Sequence, residues 1–191
     1  MLPETMPVCP VRGSVIYPTM VMPIDAGRPI SIRAIDEALA RDRVLLIVSQ
    51  RDKEVETPRP SDLFEVGTAC NILKMRKNPD GSVQVLVQAF ARVRVGEWLD
   101  LGDHLEARGE VLADEPGEPI LVKALVREVK DKFQALLKEG KYLAPEVAQF
   151  ILNLEDPSQL ADYVAFHMDF RLEDKQTVLE TANVAERLRA V

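Results

Sequence analysis

An alternation of small apolar and larger side chains in the middle of the chain constrains the fold more than any other sequence feature. It has a period of two from residue 83 to residue 95, which predicts a strand with one apolar face towards a core. Just before it, Asn78-Pro79-Asp80-Gly81 is typical of a tight turn, because glycine readily adopts a positive φ. Residues 70–75 then predict the first arm of a long hairpin. The apolar positions of the second arm are Val83, Val85, Val87, Ala89, Ala91, Val93 and Val95.

The rest of the first half also favours strands. Val44 to Val48 is a continuous apolar run, which is the pattern of a strand buried on both faces. A helix is predicted over residues 30–41, because Ile32, Ile35 and Leu39 recur there at helical spacing.

The sequence changes character at residues 114–119, Asp-Glu-Pro-Gly-Glu-Pro, which are rich in acidic residues and helix breakers. Beyond this segment the apolar residues recur with a helical period, and Pro145 and Pro157 each stand where a helix is predicted to begin. We therefore predict an α+β protein with a β-rich lobe over residues 1–113 and a helical lobe over residues 119–191. The first helical stripe consists of Leu121, Leu125, Val129, Phe133 and Leu136.

The C-terminal residues predict a short helix. Asn183, followed by Glu186, fits the pattern of a capping box, with asparagine in place of serine or threonine. Only residues 184–191 follow this cap, and an isolated helix of that length is marginal in water. We therefore expect the helix to continue in a longer protein.

The charge balance argues against a nucleic-acid partner. The chain has 24 lysines and arginines against 31 aspartates and glutamates, a formal net charge of −7. Proteins that bind nucleic acid usually carry a basic surface that neutralises phosphates, and neither half of this sequence has one. No apolar run approaches the ~18 residues that a membrane-spanning helix needs, so we expect no membrane partner.

Residues that could build a catalytic or metal site are sparse. His104 and His167 lie in different predicted lobes, and neither has a second metal ligand at helical spacing. Cys9 and Cys70 match no zinc or redox motif, so we expect buried thiols in a reducing cytoplasm. The segment from Arg12 to Ile16 lacks the second glycine of a nucleophile elbow, and the sequence contains no phosphate loop. The sequence therefore predicts a non-enzymatic chain without cofactor or metal.

Several methionines suggest a binding surface instead. Met20, Met22 and Met75 lie in the β-rich half, close in sequence to Pro18 or to the predicted hairpin. Methionine adapts to varied apolar partners, and it is common on surfaces that bind many different ligands. Ordinary filling of the core is the alternative for each of these three residues.

Leu86 is a more specific candidate for the same surface. It lies between Gln84 and Gln88 on the polar face of the predicted hairpin, a face that Phe90 shares. Either this face is an apolar patch open to partners, or it is a second small core beneath the helix at residues 30–41.

Two stretches near the ends of the chain resemble the amino-terminal domain of the ATP-dependent protease Lon. One is Pro7 to Pro18, followed by Met22-Pro23-Ile24, and the other runs from Glu173 to Leu188. The resemblance continues between them and covers nearly the whole chain. Its internal segments are Val48 to Asp52, Asp62 to Thr68 and Pro79 to Gly81.

This resemblance implies a small, closed β fold of the PUA type followed by a helical bundle. It also implies a domain that recognises and tethers unfolded, damaged or degron-bearing proteins and that self-associates within a hexameric protease. The ATPase and the serine–lysine protease sites of that family belong to other domains, in agreement with a non-catalytic chain. The expected substrate-binding residues are Val11, Met20, Met22, Pro23, Met75 and Leu86.

Two other functions are left open at this stage. A free-standing binder of small ligands or peptides, of the Lon-domain or cereblon type, would use a related β lobe, although the zinc module of cereblon has no counterpart in the sequence. RNA binding, which PUA-type folds also support, is disfavoured by the acidic charge balance.

Overall fold

The computed structural model describes residues 2–140 and 143–191 and confirms the α+β class. The chain divides into two compact units, Met1–Leu112 and Ala113–Val191, called here the β unit and the helical unit. Among the described residues no helix is long and apolar enough to cross a membrane. The strands are β1 (Met6–Val11), β2 (Val21–Ala26), β3 (Val44–Ser49), β4 (Val66–Lys77), β5 (Val83–Asp100) and β6 (Leu105–Val111). The helices are α1 (Pro29–Ala40), α2 (Pro119–Lys138), α3 (Pro145–Asn153), α4 (Pro157–His167), α5 (Leu172–Glu180) and α6 (Val184–Arg189).

The predicted hairpin is confirmed and forms the longest ladder of the β unit. β4 and β5 are antiparallel, and the N–H of Asn78 donates to the carbonyl of Ser82 at 2.8 Å across the turn. Gly81 has a φ of +86°, a conformation that suits glycine because it has no Cβ. β5 continues to Asp100, beyond the predicted end, because its second half pairs with β6.

The strands of the β unit close into a barrel that leaves β2 at an edge. Their order is β2-β5-β4-β3-β1-β6, and β6 pairs with β5 as well as with β1. On β5, residues 93–100 pair with β6 (93 with 111, 100 with 105), whereas residues 83–88 pair with β2. One edge of β5 therefore carries two strands in succession. Within the part of the chain that the structure describes, β2 is paired with β5 alone.

Helix α1 covers the valine face of the hairpin. Ile35 and Ala38 of α1 belong to the same buried cluster as Val85 and Val87 of β5. Leu86 points to the opposite face, because successive side chains of a strand alternate. The alternative of a second core beneath α1 at Leu86 is therefore wrong. All of β3 is buried, as its continuous apolar run predicts.

Two β-bulges interrupt the ladder between β4 and β5. Ala69 pairs with Ala91 and the next residue of β4 pairs with Ala89, so Phe90 is the extra residue of the first bulge. Leu73 is the extra residue of the second, and both side chains emerge at the surface. A bulge shifts the alternation of the strand. Arg92 is consequently buried, and the single apolar face predicted as far as residue 95 is wrong beyond the bulge.

The two cysteines are both free and buried in the same cluster, which confirms the prediction of buried thiols. Burial raises the pKa of the Cys9 thiol to about 11 and also raises the pKa of the Cys70 thiol. Both are therefore protonated and unreactive at neutral pH.

His104 is buried between two carboxylates. Its Nδ1 lies 2.6 Å from Asp103 Oδ1, and its Nε2 lies 3.3 Å from Glu106 Oε1. The hydrogen bond with His104 and then one from Arg33 lower the pKa of the Asp103 carboxyl. Arg41, the residue directly after α1, also pairs with Glu106, at 2.8 Å, so the network ties the end of α1 to β6. Across the described residues, no group of three or more His, Cys, Asp or Glu side chains could hold a metal ion.

The helices of the helical unit begin where the sequence signals predict. Pro145 and Pro157 are the first residues of α3 and α4. The side chain of Asn183 accepts a hydrogen bond from the N–H of Glu186 at 3.1 Å and so caps α6. Apolar side chains from α2, α3, α4 and α6 form one buried cluster at the centre of this unit.

Arg187 is a fully buried charged residue within the helical unit. Its guanidinium pairs with Asp114 Oδ1 at 2.6 Å and donates to Ser158 Oγ, also at 2.6 Å. Its Nε donates to the carbonyl of Thr181 at 2.9 Å. One side chain therefore joins the segment before α2, the first turn of α4 and the segment before α6.

Candidate functional site

A groove of about 330 Å³ runs beside β2 in the β unit. We call it the β2 groove and define it by the residues that line it. These are Cys9, Pro10, Val11, Arg12, Ser14, Ile16, Met22, Pro23, Ile24, Asp25, Ala26, Gly27, Arg28 and Ser31.

The groove exists because two neighbouring strand edges do not meet. β6 pairs with β1 only at Met6, Pro7 and Val8, so the second half of β1 lies beyond the reach of β6. β2 takes the next place along β5 but is not hydrogen-bonded to β1 in any described residue. An opening is therefore left between the second half of β1 and β2.

The lining of the groove is about half polar and half apolar, and its apolar part lies on the floor and along β2. Ile16 and Ala26 are buried beneath it, together with the Cys9 thiol. Val11, Met22 and Ile24 are half-buried and pack against the main core cluster. An apolar ligand in the groove would therefore remove surface from water on both sides, at about 25 cal/mol per Å² of apolar area.

Two arginines form the polar end of the groove. Arg28 donates from Nη2 to the carbonyl of Pro10 at 2.7 Å and from Nη1 to the side chain of Gln50. Arg12 pairs with Glu56 at 3.2 Å. Burial, and next the nearby charge of Arg12, lower the pKa of the Arg28 guanidinium. Both arginines thus hold neighbouring segments in place, and their guanidinium groups make this end of the groove positively charged.

A second apolar surface lies on the outer face of β2 and β5. Pro23 is paired with Leu86, and Val21 with Gln88, so their side chains share this face. Val21 is 53% exposed, and Phe90, farther along β5, is 37% exposed. We call Val21, Pro23, Leu86 and Phe90 the outer patch. Strand β2 therefore has apolar surface on both of its faces.

The sequence model of the ATP-dependent protease La (LON) substrate-binding domain matches residues 5–191. The chain belongs to this family. Lon protease 2 of Thermus thermophilus is 99% identical over 191 residues, the whole of this chain and 24% of that protein. Lon protease of Escherichia coli K12 is 40% identical over 182 residues, 95% of this chain and 23% of that protein. The chain thus spans about a quarter of the length of these Lon relatives.

Solved structures show the same fold. The N-terminal domain of Mycobacterium avium complex Lon protease has a TM-score of 0.79 and 27% identity, and the match covers 97% of this chain and 95% of that one. A Lon N-terminal domain protein from Xanthomonas campestris has a TM-score of 0.63 and 12% identity over the same shares of the two chains. The second likeness concerns the fold alone.

Four of the six residues predicted to bind substrate lie on these two surfaces of the Lon domain. Val11 and Met22 line the β2 groove, Leu86 belongs to the outer patch, and Pro23 belongs to both. Their contact with a substrate stays a prediction. Met75 is half-buried opposite Val85 and packs on the core cluster, so it lies on neither surface.

Met20 is buried and lies on neither surface, and its contact with a substrate stays a prediction. Its side chain is 4% exposed and therefore faces the interior. Its carbonyl accepts a hydrogen bond from the N–H of Ala89 at 2.8 Å, which fixes this segment against β5. Core filling, the alternative considered for each methionine, therefore describes Met20.

Sequence reasoning missed Val21 and Arg28 of the Lon domain. Val21 alternates with Pro23, and a proline inside a predicted strand is a signal of an edge strand, so this pattern could have identified the outer patch. Arg28 carried no such signal, because its contacts with Pro10 and Gln50 depend on tertiary structure.

Proposed function

We propose that this domain recognises and tethers exposed apolar segments of unfolded or degron-bearing proteins for a Lon-type ATP-dependent protease. The observation that carries the proposal is the edge strand β2, which has the apolar part of the β2 groove on one face and the outer patch on the other. Membership of the Lon substrate-binding family supports the same function. The natural setting in this proposal is the cytoplasm, without a nucleic-acid or membrane partner.

The proposal assigns no catalysis to this chain. The relatives are about four times longer, so ATP hydrolysis and peptide-bond cleavage are assigned to the rest of a Lon protease. Self-association of such domains within a hexamer would place several grooves side by side. Weak binding at each groove would then suffice, because linked sites raise the effective concentration of a long unfolded substrate.

The purified chain is expected neither to hydrolyse ATP nor to cleave casein. The sequence has neither a phosphate loop nor a nucleophile elbow, and the two histidines lie in different units. A malachite-green assay for released phosphate and a fluorescent casein assay would measure the two activities. Turnover that follows the protein through gel filtration would contradict this expectation.

Substrate choice is tested by comparing one protein in two states. An unfolded protein should perturb the amide resonances of β2 and β5, whereas the same protein in its native state should not. The reason is that apolar segments become accessible only on unfolding. Equal perturbation by both states, or perturbation by RNA alone, would contradict the proposed function.

Leu86→Ser is expected to weaken binding of the unfolded protein about fivefold to tenfold. A serine removes most of the apolar area that the half-buried leucine offers to a ligand, which corresponds to about 1 kcal/mol. The free energy of unfolding should fall by no more than ~1 kcal/mol. Isothermal titration calorimetry and urea unfolding measure the two effects.

Leu101→Ser is the matched control for this variant. Leu101 is 53% exposed in the turn between β5 and β6, and it belongs neither to the outer patch nor to the β2 groove. Its replacement should leave the affinity unchanged. A sharp loss of stability in Leu86→Ser with unchanged affinity would identify Leu86 as a core residue and place the site elsewhere.

A further inference from the structure

The edge of β2 that faces away from β5 carries main-chain groups along the β2 groove. The N–H of Ala89 donates to the carbonyl of Met20, so the main-chain groups of Met20 face β5. In an antiparallel pair the residues of one strand alternate between facing the partner and facing away. Met22 and Ile24 therefore bond to β5, while the carbonyls of Val21, Pro23 and Asp25 face away from it.

Strand β1 cannot close the opening by pairing with this edge. The groove-facing carbonyl of Pro10 is already bonded to Arg28 Nη2 at 2.7 Å. Pro10 has no N–H to offer, and neither has Pro23 on the opposite side. The two prolines and Arg28 thus keep the groove from closing on itself.

The edge is therefore rich in acceptors and poor in donors. It presents three carbonyls but only the amides of Val21 and Asp25, because Pro23 interrupts the row of donors. Two copies of this edge would match each other poorly, since each lacks the donor at its centre. An ordinary peptide backbone supplies the donors that the edge lacks.

The side-chain surroundings suit an extended apolar segment. A strand added beside β2 would place alternate side chains on the two faces of the sheet. One set would lie next to Met22 and Ile24 in the groove, and the other set next to Val21 and Pro23 of the outer patch. These four side chains are apolar, which matches a segment that is a buried strand in its own native fold.

We propose that an extended apolar segment of an unfolded protein binds to the outward edge of β2 as an added strand. This inference rests on the proposed function and specifies how it is carried out. Main-chain hydrogen bonds provide affinity without sequence specificity, and the apolar surfaces provide the preference for buried-strand sequences. A folded protein or a preformed helix is not bound, because neither offers an unpaired extended backbone.

The test uses the full 191-residue chain and a fluorescein-labelled octapeptide of valine, leucine and threonine with two added glutamates. Two further peptides carry N-methyl groups, one at residues 2, 4 and 6 and one at residues 3, 5 and 7. The peptide alternates valine or leucine with threonine, so that its apolar side chains face the groove in one register only. Since alternate N–H groups of a strand point to opposite sides, only one of the two methylated sets then faces β2. Methylation of that set should lower the affinity at least tenfold, whereas methylation of the other set should change the affinity by less than about threefold. Fluorescence anisotropy of the labelled peptide measures both affinities.

A second readout locates the contact. On binding, the amides of Val21 and Asp25 should gain protection from hydrogen exchange, whereas those of Met22 and Ile24 should change little because they already bond to β5. Strand addition is overturned if the two methylated peptides have equal affinity, whether both still bind or neither does. Strand addition by a substrate is also overturned if the same amides are protected without peptide and this protection increases with protein concentration. The edge would then be occupied by a second copy of the chain in a dimer.

The experiments distinguish failure of the strand-addition proposal from failure of the proposed function. If the methylated peptides behave alike but unfolded protein still perturbs β2 and β5, apolar recognition stands and only its strand-like form is wrong. If neither the octapeptide nor the unfolded protein binds, the proposed function itself fails.

Discussion

Arg187→Ala is expected to lower the free energy of unfolding of the helical unit by about 3–5 kcal/mol, the range for breaking a buried ion pair. The Arg187 side chain is fully buried and bonds to Asp114, Ser158 and the carbonyl of Thr181. Alanine would remove the cation near Asp114 and the buried Asp162 and would leave a cavity among these groups. Urea unfolding followed by the helical signal in circular dichroism measures the change.

Two further variants make this result specific. Arg189→Ala, on the same helix but at an exposed position, should change stability by less than ~0.5 kcal/mol. Arg187→Lys should recover only part of the loss, because an ammonium cannot make the divergent hydrogen bonds of a guanidinium. If Arg187→Ala and Arg189→Ala unfold at the same urea concentration, the buried network does not hold the helical unit together.

Gly109→Ala is expected to destabilise the β unit by roughly 1–3 kcal/mol, the usual effect of overpacking. A Cβ at this position would lie 2.5 Å from the carbonyl oxygen of Arg94 and 2.8 Å from a methyl group of Val93. The backbone of β5 would have to move away from β6, at the pairing that closes the barrel. Fluorescence of Trp98, on β5 opposite Ala107, would follow the unfolding of this region.

Gly96→Ala is the matched control within the same ladder. Among the described residues, its Cβ would meet only the carbonyl oxygen of Arg108, at 3.9 Å, an ordinary van der Waals contact. Its replacement should therefore have a much smaller effect than that of Gly109. Equal losses from the two glycines would show that general strand flexibility, rather than close approach of the backbone, sets the stability here.

The Gly109 and Arg187 variants should differ in their effect on peptide binding at the outward edge of β2. β5 carries β2 and β6 on one edge, so closure of the barrel by β6 also holds the segment of β5 to which β2 is bonded. Loss of the β5–β6 pairing should therefore reduce binding of unfolded protein. Arg187 lies in the helical unit, and its variants should leave peptide binding by the β unit intact.

The local elements could be predicted from the sequence because the signals that specify them are local. The alternation after the Asn78–Gly81 turn specified the hairpin, and the prolines at 145 and 157 specified two helix starts. The same local patterns carried the resemblance to the Lon amino-terminal domain. Val11, Met22, Pro23 and Leu86 could be proposed as surface residues because apolar side chains stood beside polar ones or prolines.

Only the tertiary structure decided which of these residues share a surface and which are buried. The β2 groove depends on where β6 stops along β1, a pairing between residues nearly a hundred positions apart that no local pattern encodes. The burial of Met20 and the charged contacts of Arg187 depend in the same way on distant segments. The physical reason is that periodicity specifies the face on which a side chain lies, whereas burial depends on what other segments of the chain cover that face.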